Sequence, residues 1–293
     1  MIETINENFK KLVIDIQESK ITDNARLFRD IFKIILNPGS NAKHLKDVIE
    51  QDYSLCTSVL QIANSAYYGS VKHIDSIQQA IVWIGFDSVI QLVLVNRISE
   101  FFEFNQTIDN NFSHEYLWKS SLISAILGKI IYRLQFCDSG NFMFSAGLFH
   151  NLGILFLHKF RKNQFLECLQ LMKKDKIDLF RSEYTILGFD HTKLISFVFK
   201  SWGMPEELVQ IIKYHHNPLL VSKELRRDAS SLFLIDQLVK KNYYGYSDLK
   251  CYDEHITQTL FSFLGLNETM RQTIFKKLNE EIKSLVQMGW LPN

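Results

Sequence analysis

The 293-residue chain carries 33 Lys and Arg against 32 Asp and Glu, a formal net charge of +1, and 46% of its residues are hydrophobic. This length suffices for one large core or two smaller ones, so two subdomains are a reasonable expectation. The balanced charge argues against a strongly basic face for nucleic acid or for an anionic membrane surface.

Cysteine usage and the chain start predict a cytoplasmic protein. The four cysteines lie far apart without C-x-x-C spacing, which argues against a disulfide scaffold or a cysteine zinc site; they are Cys56, Cys137, Cys168 and Cys251. The first twenty residues lack the charged-then-apolar pattern of a signal peptide. No apolar run reaches the ~18–20 residues of a membrane span, so we expect none.

Helical spacing of apolar residues dominates the first half. The segments "NAKHLKDVIEQ" and "SLCTSVLQIANSAYYG" predict two helices on either side of Asp52. In "SIQQAIVWIG" the apolar positions follow the i, i+3, i+4, i+7 rule, with Ser76 placed to cap the helix start and Gly85 to end it. Asp87 is predicted to cap the next helix, "SVIQLVLVNRISEFF".

Loop-like composition divides the rest of the chain. An Asn-rich stretch over residues 103–115 predicts a break between two halves, and a second loop is predicted over residues 242–255. The tyrosines of the second loop suggest an ordinary aromatic-rich loop, with a contact surface as the alternative: Tyr243, Tyr244, Tyr246 and Tyr252. Two closing helices follow. Because no segment shows convincing period-2 alternation, the prediction is an all-α helical bundle.

A polar pair interrupts one of the most apolar segments, "SAGLFHNLGILFLHKF". His150 and Asn151 stand side by side among small and aliphatic residues. Buried polar groups need partners or cost a few kcal/mol, so the pair belongs to a satisfied core network, a working site or the remnant of one.

Further polar residues fall on apolar helix faces in the second half. Asp190 is placed to cap a helix on which His191 shares a face with Ile195, Val198 and Trp202. His215 follows the stripe of Leu208, Ile211 and Ile212, and His216 is next to it. Asp236 lies on the stripe of Leu232 and Val239. Each alone is best explained as a satisfied core residue, but imidazole and carboxylate together also bind divalent metals.

At these residues the chain resembles the HDOD family, the non-catalytic relatives of HD-domain phosphohydrolases. The resemblance covers about residues 25–240. In the first half it lies in "VIEQDYSLCTSVLQIANSAYYGSVKHIDSIQQAIVWIGFDSVIQLVL". In the second half it lies in "LWKSSLISA", "AGLFHNLG", "GFDHTKLISFVFKSWGMPEELVQIIKYHHNP" and "IDQL", in the expected order. The chain departs from the family at its entry, where "ESKITDNARLF" replaces a proline-rich pattern.

The resemblance also implies where an HD metal site would lie. Its positions fall on Ser120, His150, Asn151, His191, His215, His216 and Asp236. An early His is thus replaced by Ser120 and the bridging carboxylate by Asn151, whose neutral amide is a much weaker ligand for a hard cation. The related HD-GYP signature is missing after the paired histidines. We interpret His150 and Asn151 as a catalytic remnant, and expect a hydrogen bond between them within a network to His191 and His215.

The implied function is that of a bacterial signal-transduction or regulatory protein without catalysis, of a kind often linked to cyclic di-GMP, motility or stress responses. No cofactor is expected. The alternative is a metal-dependent phosphohydrolase of nucleotides or cyclic dinucleotides, with a single divalent metal held by His150, His191, His215, His216 and Asp236. The expected parts are an N-terminal helical subdomain (1–105), an HD-like helical subdomain (106–241) and a C-terminal loop with closing helices (242–293).

The groove between the two subdomains is the predicted contact surface for a signalling protein or a small nucleotide-like ligand. Asn64, Ser65, Tyr67 and Tyr68 supply polar and aromatic groups for it, although Asn64 is better explained as a helix-end residue. A DNA-binding helix pair around Gly85 is a weak alternative. Its second helix has Arg97 as its only basic residue, and its composition is typical of a buried helix.

Overall fold

The computed structural model describes residues 7–70, 73–104, 107–109, 112–242 and 253–291. Within these ranges the chain forms sixteen α-helices, three short 3-10 helices and one two-stranded antiparallel hairpin. The all-α prediction is confirmed, and the hairpin lies inside the polar break at 103–115. The predicted tyrosine loop falls mostly on residues 243–252, which lie outside the described residues.

The first half contains six helices. Their bounds are α1 Glu7–Gln17, α2 Ala25–Leu36, α3 Ala42–Ile49, α4 Tyr53–Ala63, α5 Ile77–Ile84 and α6 Phe86–Ser99. The hairpin strands are β1 Thr107–Asp109 and β2 Phe112–Ser113. The HD-like half contains α7 His114–Gln135, α8 Asn141–Phe149, α9 Leu152–Phe160, α10 Lys162–Asp175, α11 Leu179–Leu187, α12 His191–Ser201, α13 Glu206–Lys213 and α14 Arg226–Lys241. The closing helices are α15 Glu254–Phe263 and α16 Glu268–Gln287.

Side-chain caps fix several helix starts, and the one at Ser76 lies where the sequence predicts it. Asp52 accepts a hydrogen bond from the Leu55 backbone N–H at the start of α4, and Ser76 does the same for Gln79 at the start of α5. Gly85 ends α5 with a φ of +96°, a conformation that favours glycine. The prediction for Asp87 is wrong. Helix α6 begins at Phe86, so Asp87 already lies inside it, and the Asp87 carboxylate binds Arg133 and Asn141.

Helix α7 is the central element of the HD-like half. Sixteen of its residues are buried, and it packs against α8, α14 and α16. The approach of α8 to α7 depends on Gly147, because a Cβ there would lie 2.7 Å from the backbone of Ser124 and Ala125. This contact holds the end of α8, and the polar pair that follows it, against the core.

One apolar core runs through both halves. Helix α1, placed by the sequence in the first subdomain, packs against α9 and α12 of the second. Its Phe9 ring makes edge-to-face contacts with Phe189 and Phe197. Helix α2 likewise contributes Phe28, which contacts Phe149 and Trp202. The first helices are therefore shared between the two halves, and the boundaries at 105 and 241 stay predictions.

Helix α6 is a core helix. Its residues Val89 to Val95 are all buried, and Arg97, only 6% exposed, is held by the carboxylates of Asp52 and Glu100. A recognition helix needs an exposed face for phosphates and base edges, which α6 does not offer. No single helix in the described ranges combines the length and apolarity of a membrane span; only the bent pair α5 and α6 does so when its two members are counted together.

Candidate functional site

His150 and Asn151 lie at a break between two helices. His150 is the C-terminal cap residue of α8, and Asn151 is the N-terminal cap residue of α9. The sequence places them within one apolar helical segment, but the chain turns there. His150 is fully buried, and its Nδ1 lies 2.7 Å from the Gly147 carbonyl oxygen. A carbonyl oxygen only accepts hydrogen bonds, so Nδ1 carries a proton.

The second partner of His150 is Asp236 rather than Asn151. The His150 Nε2 atom lies 3.7 Å from Asp236 Oδ1, and Asp236 Oδ2 lies 2.7 Å from the Lys240 ammonium. The expected His150–Asn151 hydrogen bond is therefore wrong, because the break between α8 and α9 turns the imidazole toward α14. Asp236 and Lys240 are 1% and 8% exposed, so this ion pair is buried.

His191 is oriented by a carboxyl group that the sequence patterns do not single out. Glu183 is fully buried on α11, and its Oε2 accepts the His191 backbone N–H at 2.8 Å. The same oxygen lies 2.7 Å from His191 Nδ1. One carboxyl oxygen thus holds both the backbone and the ring of His191. Burial raises the pKa of the Glu183 carboxyl, against the opposing effect of His191.

His215 and His216 follow the end of α13, although the sequence pattern predicts that the helix extends through them. His215 is fully buried, and its Nδ1 lies 2.7 Å from the Ile212 carbonyl oxygen, which leaves Nε2 bare. His216 is partly buried and stacks on the Phe180 ring at a centroid distance of 4.7 Å. Its Nε2 lies 3.3 Å from His191 Nε2. One of these two nitrogens donates the hydrogen bond and the other accepts it.

These side chains form what we call the four-histidine centre: His150, His191, His215 and His216 with Asp236. Ligand-type atoms of His191, His215 and His216 lie within 4.8 Å of one another. The His150 ring meets the His215 ring edge to face at 5.2 Å. The Nε2 atoms of His150 and His215 are buried and make no hydrogen bond in the structure. The centre therefore contains two buried imidazole nitrogens, those of His150 and His215, that no hydrogen bond satisfies.

Burial and neighbouring charges set the ionisation of the centre. Desolvation, reinforced by the other histidines, holds the pKa of His215 and of His216 well below the usual range. Burial alone would raise the pKa of Asp236, but the Lys240 ammonium and the His150 contact hold it well below its ordinary value. Near neutral pH the centre thus contains neutral imidazoles at His215 and His216 beside one buried, ion-paired carboxylate.

Ser120 lies buried on α7, which packs against α8 and α14. It therefore lies on the helix that faces the elements of the centre, and offers a hydroxyl where the resemblance expects an imidazole.

The side chains of the centre determine which metal ions it could bind. Three imidazoles suit a single borderline divalent cation, but the carboxylate-bridged pair of metals implied by HD hydrolases does not fit.

A cleft of about 1050 Å³ borders the centre. Among the described residues, His216 and Lys240 reach it from the centre, and Phe180, Arg181, Phe233 and Phe263 line its walls. Two strongly exposed leucines, Leu219 and Leu220, also lie on the wall. The centre is therefore accessible to small molecules and ions on the His216 side.

The four residues predicted to line the groove have different roles. The Asn64 side chain donates to the carbonyl oxygens of Leu60 and Ile74 and accepts the Ile74 N–H, so it closes a loop after α4. Ser65 has a buried hydroxyl without a hydrogen bond. Only Tyr67 lines a described cavity, a cleft of about 240 Å³ between α7 and α16. Burial raises the pKa of Tyr68 to about 12.

Glu183 and Lys240 are the site residues that the sequence reasoning missed. Lys240 lies four residues after Asp236 on α14, and this i, i+4 spacing is a usable signal for an ion pair. Glu183 lies eight residues before His191 on another helix. No local spacing connects those two, so only the packing of α11 against α12 brings them together.

Comparison with known proteins agrees with this architecture. Over nearly their full lengths, the chain superposes with a TM-score of 0.73 on an HDOD domain protein of unknown function from Geobacter sulfurreducens, at 21% identity, covering 98% of this chain and 99% of that one. A provisionally named signal transduction protein from Marinobacter aquaeolei gives 0.73 at 21% identity, covering 99% and 67%. A provisionally named phosphohydrolase from Shewanella amazonensis gives 0.69 at 18% identity, covering 97% of both chains. These likenesses show the fold.

Sequence comparison gives the family. An uncharacterized protein of Treponema pallidum is 21% identical over 245 residues, which cover 81% of this chain but 44% of that relative, so the chain spans less than half its length. The HDOD domain model matches residues 23–218, which make up two thirds of the chain. This range includes all four histidines of the centre but not Asp236. The chain therefore belongs to the HDOD family.

Proposed function

We propose that this protein is a regulatory HDOD module of bacterial signal transduction that recognises a partner and does not hydrolyse phosphoesters. One observation carries the proposal. The resemblance puts Asn151 where HD hydrolases have a carboxylate, and the Lys240 ammonium lies 2.7 Å from the other carboxylate of the site, Asp236.

The charge of the centre disfavours hydrolysis. Metal-assisted hydrolysis needs a cation that polarises the phosphoryl group and lowers the pKa of a bound water. An anionic ligand set holds such cations, whereas His215 and His216 are neutral here and the Asp236 carboxylate is already paired with an ammonium group. The fold is preserved because backbone carbonyls and Glu183 satisfy the Nδ1 atoms of three histidines.

A regulatory role requires a surface that a partner can occupy. The 1050 Å³ cleft beside His216 and the smaller cleft at Tyr67 are concave surfaces of the described residues that a ligand or a partner side chain could enter. The name of the Marinobacter relative, which places that protein in signal transduction, supports a signalling role. Within the proposal, the protein acts in the cytoplasm by binding a signalling protein or a nucleotide-like ligand at these surfaces.

The second candidate is a metal-dependent phosphohydrolase with a reduced site. The observation in its favour is the convergence of His191, His215 and His216 within 4.8 Å, with the buried Nε2 of His215 unpaired. In that case these three imidazoles would hold one divalent cation, and the cation would supply Lewis acidity. The name of the Shewanella relative is consistent with this class.

Metal analysis and a turnover assay separate the two. The purified protein is dialysed against Mn²⁺ or Fe²⁺, its metal content is measured, and phosphomonoesters, nucleotides and cyclic dinucleotides are offered as substrates. We expect substoichiometric metal and no turnover above a His215→Ala/His216→Ala control. Stoichiometric metal together with metal-dependent hydrolysis that the control lacks would establish the second candidate.

A further inference from the structure

The buried ion pair of α14 has a role beyond neutralising Asp236. We propose that Lys240 is the resident cation of the four-histidine centre, and that its ammonium group keeps divalent metals out of a site whose nitrogen donors are otherwise in place. The inference rests on the proposed function, because it explains why the centre lacks a catalytic metal.

The donors are preorganised. Contacts of their Nδ1 atoms with Glu183 and with the Ile212 carbonyl orient the rings of His191 and His215, and the three imidazoles bring ligand atoms within 4.8 Å of one another. A metal-binding imidazole commonly donates its other ring N–H to a carboxylate or a carbonyl in this way. His216 lies on the cleft wall, so an ion from solvent can reach the centre.

The obstacle to a cation is Lys240. Its Nζ lies 2.7 Å from Asp236 Oδ2, and its charge also depresses the pKa of His216, so the ammonium acts on both sides of the centre. With 8% exposure it cannot move away from Asp236 without leaving a buried carboxylate unpaired. Any divalent cation entering beside His191, His215 and His216 therefore meets the positive charge that already acts on His216 and a carboxylate that is already paired.

The test is Co²⁺ binding by Lys240→Met, measured by calorimetry and by the visible absorption of bound Co²⁺, with no activity readout. We expect one Co²⁺ per chain and an affinity at least tenfold above that of the wild-type protein. Lys241→Met is the matched control, since it removes a neighbouring lysine that pairs with the surface residue Glu254. Lys240→Arg keeps the charge and should bind Co²⁺ no better than wild type.

A second variant, Lys240→Gln, keeps the test valid if Lys240→Met does not fold. Lys240→Gln keeps a hydrogen-bond donor for Asp236 and should show the same gain. A variant that folds only when Co²⁺ is added supports the proposal, because a cation that binds the native state stabilises it. Equal Co²⁺ affinity in wild type and both variants overturns the inference, as does failure of both variants to fold with or without Co²⁺. Metal-dependent turnover by wild type would instead overturn the proposed function.

Discussion

The protein buries histidines in two regions, and the ring nitrogens have different partners in each. In the four-histidine centre, the Nδ1 atoms of His150, His191 and His215 each lie 2.7 Å from an oxygen. In a second cluster, which we call the histidine pair, His114 Nδ1 accepts the Glu103 backbone N–H at 2.9 Å. His114 must then donate from Nε2 to His158 Nδ1, at 3.0 Å.

The difference shows that the groups packed against a buried histidine decide which partners its nitrogens find. The histidine pair is enclosed by aromatic rings, including Phe102 and Phe165, and its two imidazoles hydrogen-bond to each other. The centre lies beside a cleft and adds a buried ion pair and a buried Glu. The pair is therefore a closed packing feature, whereas the centre keeps the acceptor geometry of a ligand site.

The largest expected effect comes from breaking the ion pair that distinguishes the centre. Asp236→Ala leaves the Lys240 ammonium buried without its carboxylate, so we expect a loss of about 3–5 kcal/mol in the free energy of unfolding. Urea denaturation measures it. The double variant Asp236→Leu/Lys240→Met removes both charges and should recover most of the loss. A cost below about 1 kcal/mol for Asp236→Ala would mean that the pair is solvated in solution.

The next effect concerns the close approach of two helices at the centre. A Cβ at Gly153 of α9 would lie 2.1 Å from the His191 carbonyl oxygen of α12. Gly153→Ala should therefore separate the helices and lower the free energy of unfolding by about 3 kcal/mol. Gly39→Ala, in an exposed loop, is the control and should cost little. Equal urea midpoints for the two variants would contradict the observed packing of α9 on α12.

The histidine pair predicts a loss of stability in acid. Burial, with His114 and Lys162 nearby, lowers the pKa of His158 to about 4, and burial also lowers that of His114. A histidine with a depressed native pKa contributes fully above its unfolded pKa of 6.5 and loses that contribution as the pH falls toward 4. From pH 7.5 to pH 5 we expect His158 to account for about 2 kcal/mol.

Urea titrations at the two pH values measure this loss. The His158→Phe variant cannot titrate at this position and should show a correspondingly smaller decrease between pH 7.5 and pH 5. His73→Phe, at an exposed histidine, is the control. An unchanged pH dependence in His158→Phe would place the acid sensitivity in the four-histidine centre, where the pKa values of His215 and His216 are also depressed.

The smallest expected effect restores an acid to the centre. Asn151→Asp places a carboxylate at a position that is 4% exposed, so we expect a destabilisation of about 1–2 kcal/mol at pH 7. Added Mn²⁺ should reverse part of it, because a cation compensates the buried charge. Thermal unfolding with and without Mn²⁺ measures both. If Mn²⁺ raises the midpoint of wild type equally, Asn151 is not what weakens the centre.

Local patterns predicted much of the helical framework and the residue types of the site. Ser76 and Gly85 act as cap and stop where their spacing placed them, because capping is settled within one helical turn. The Asp87 prediction failed because long-range partners, Arg133 and Asn141, take its carboxylate. The same competition explains why Asn151 is not the partner of His150.

The amino-acid sequence by itself determined the all-helical architecture and the HDOD membership, since periodicity and motif order are properties of the chain. Only the tertiary structure decided that Glu183 of α11 orients His191 of α12 and that the rings of His150 and His215 meet edge to face. Those contacts join separate helices, and the orientation of an imidazole is set by whichever group packing places against the ring.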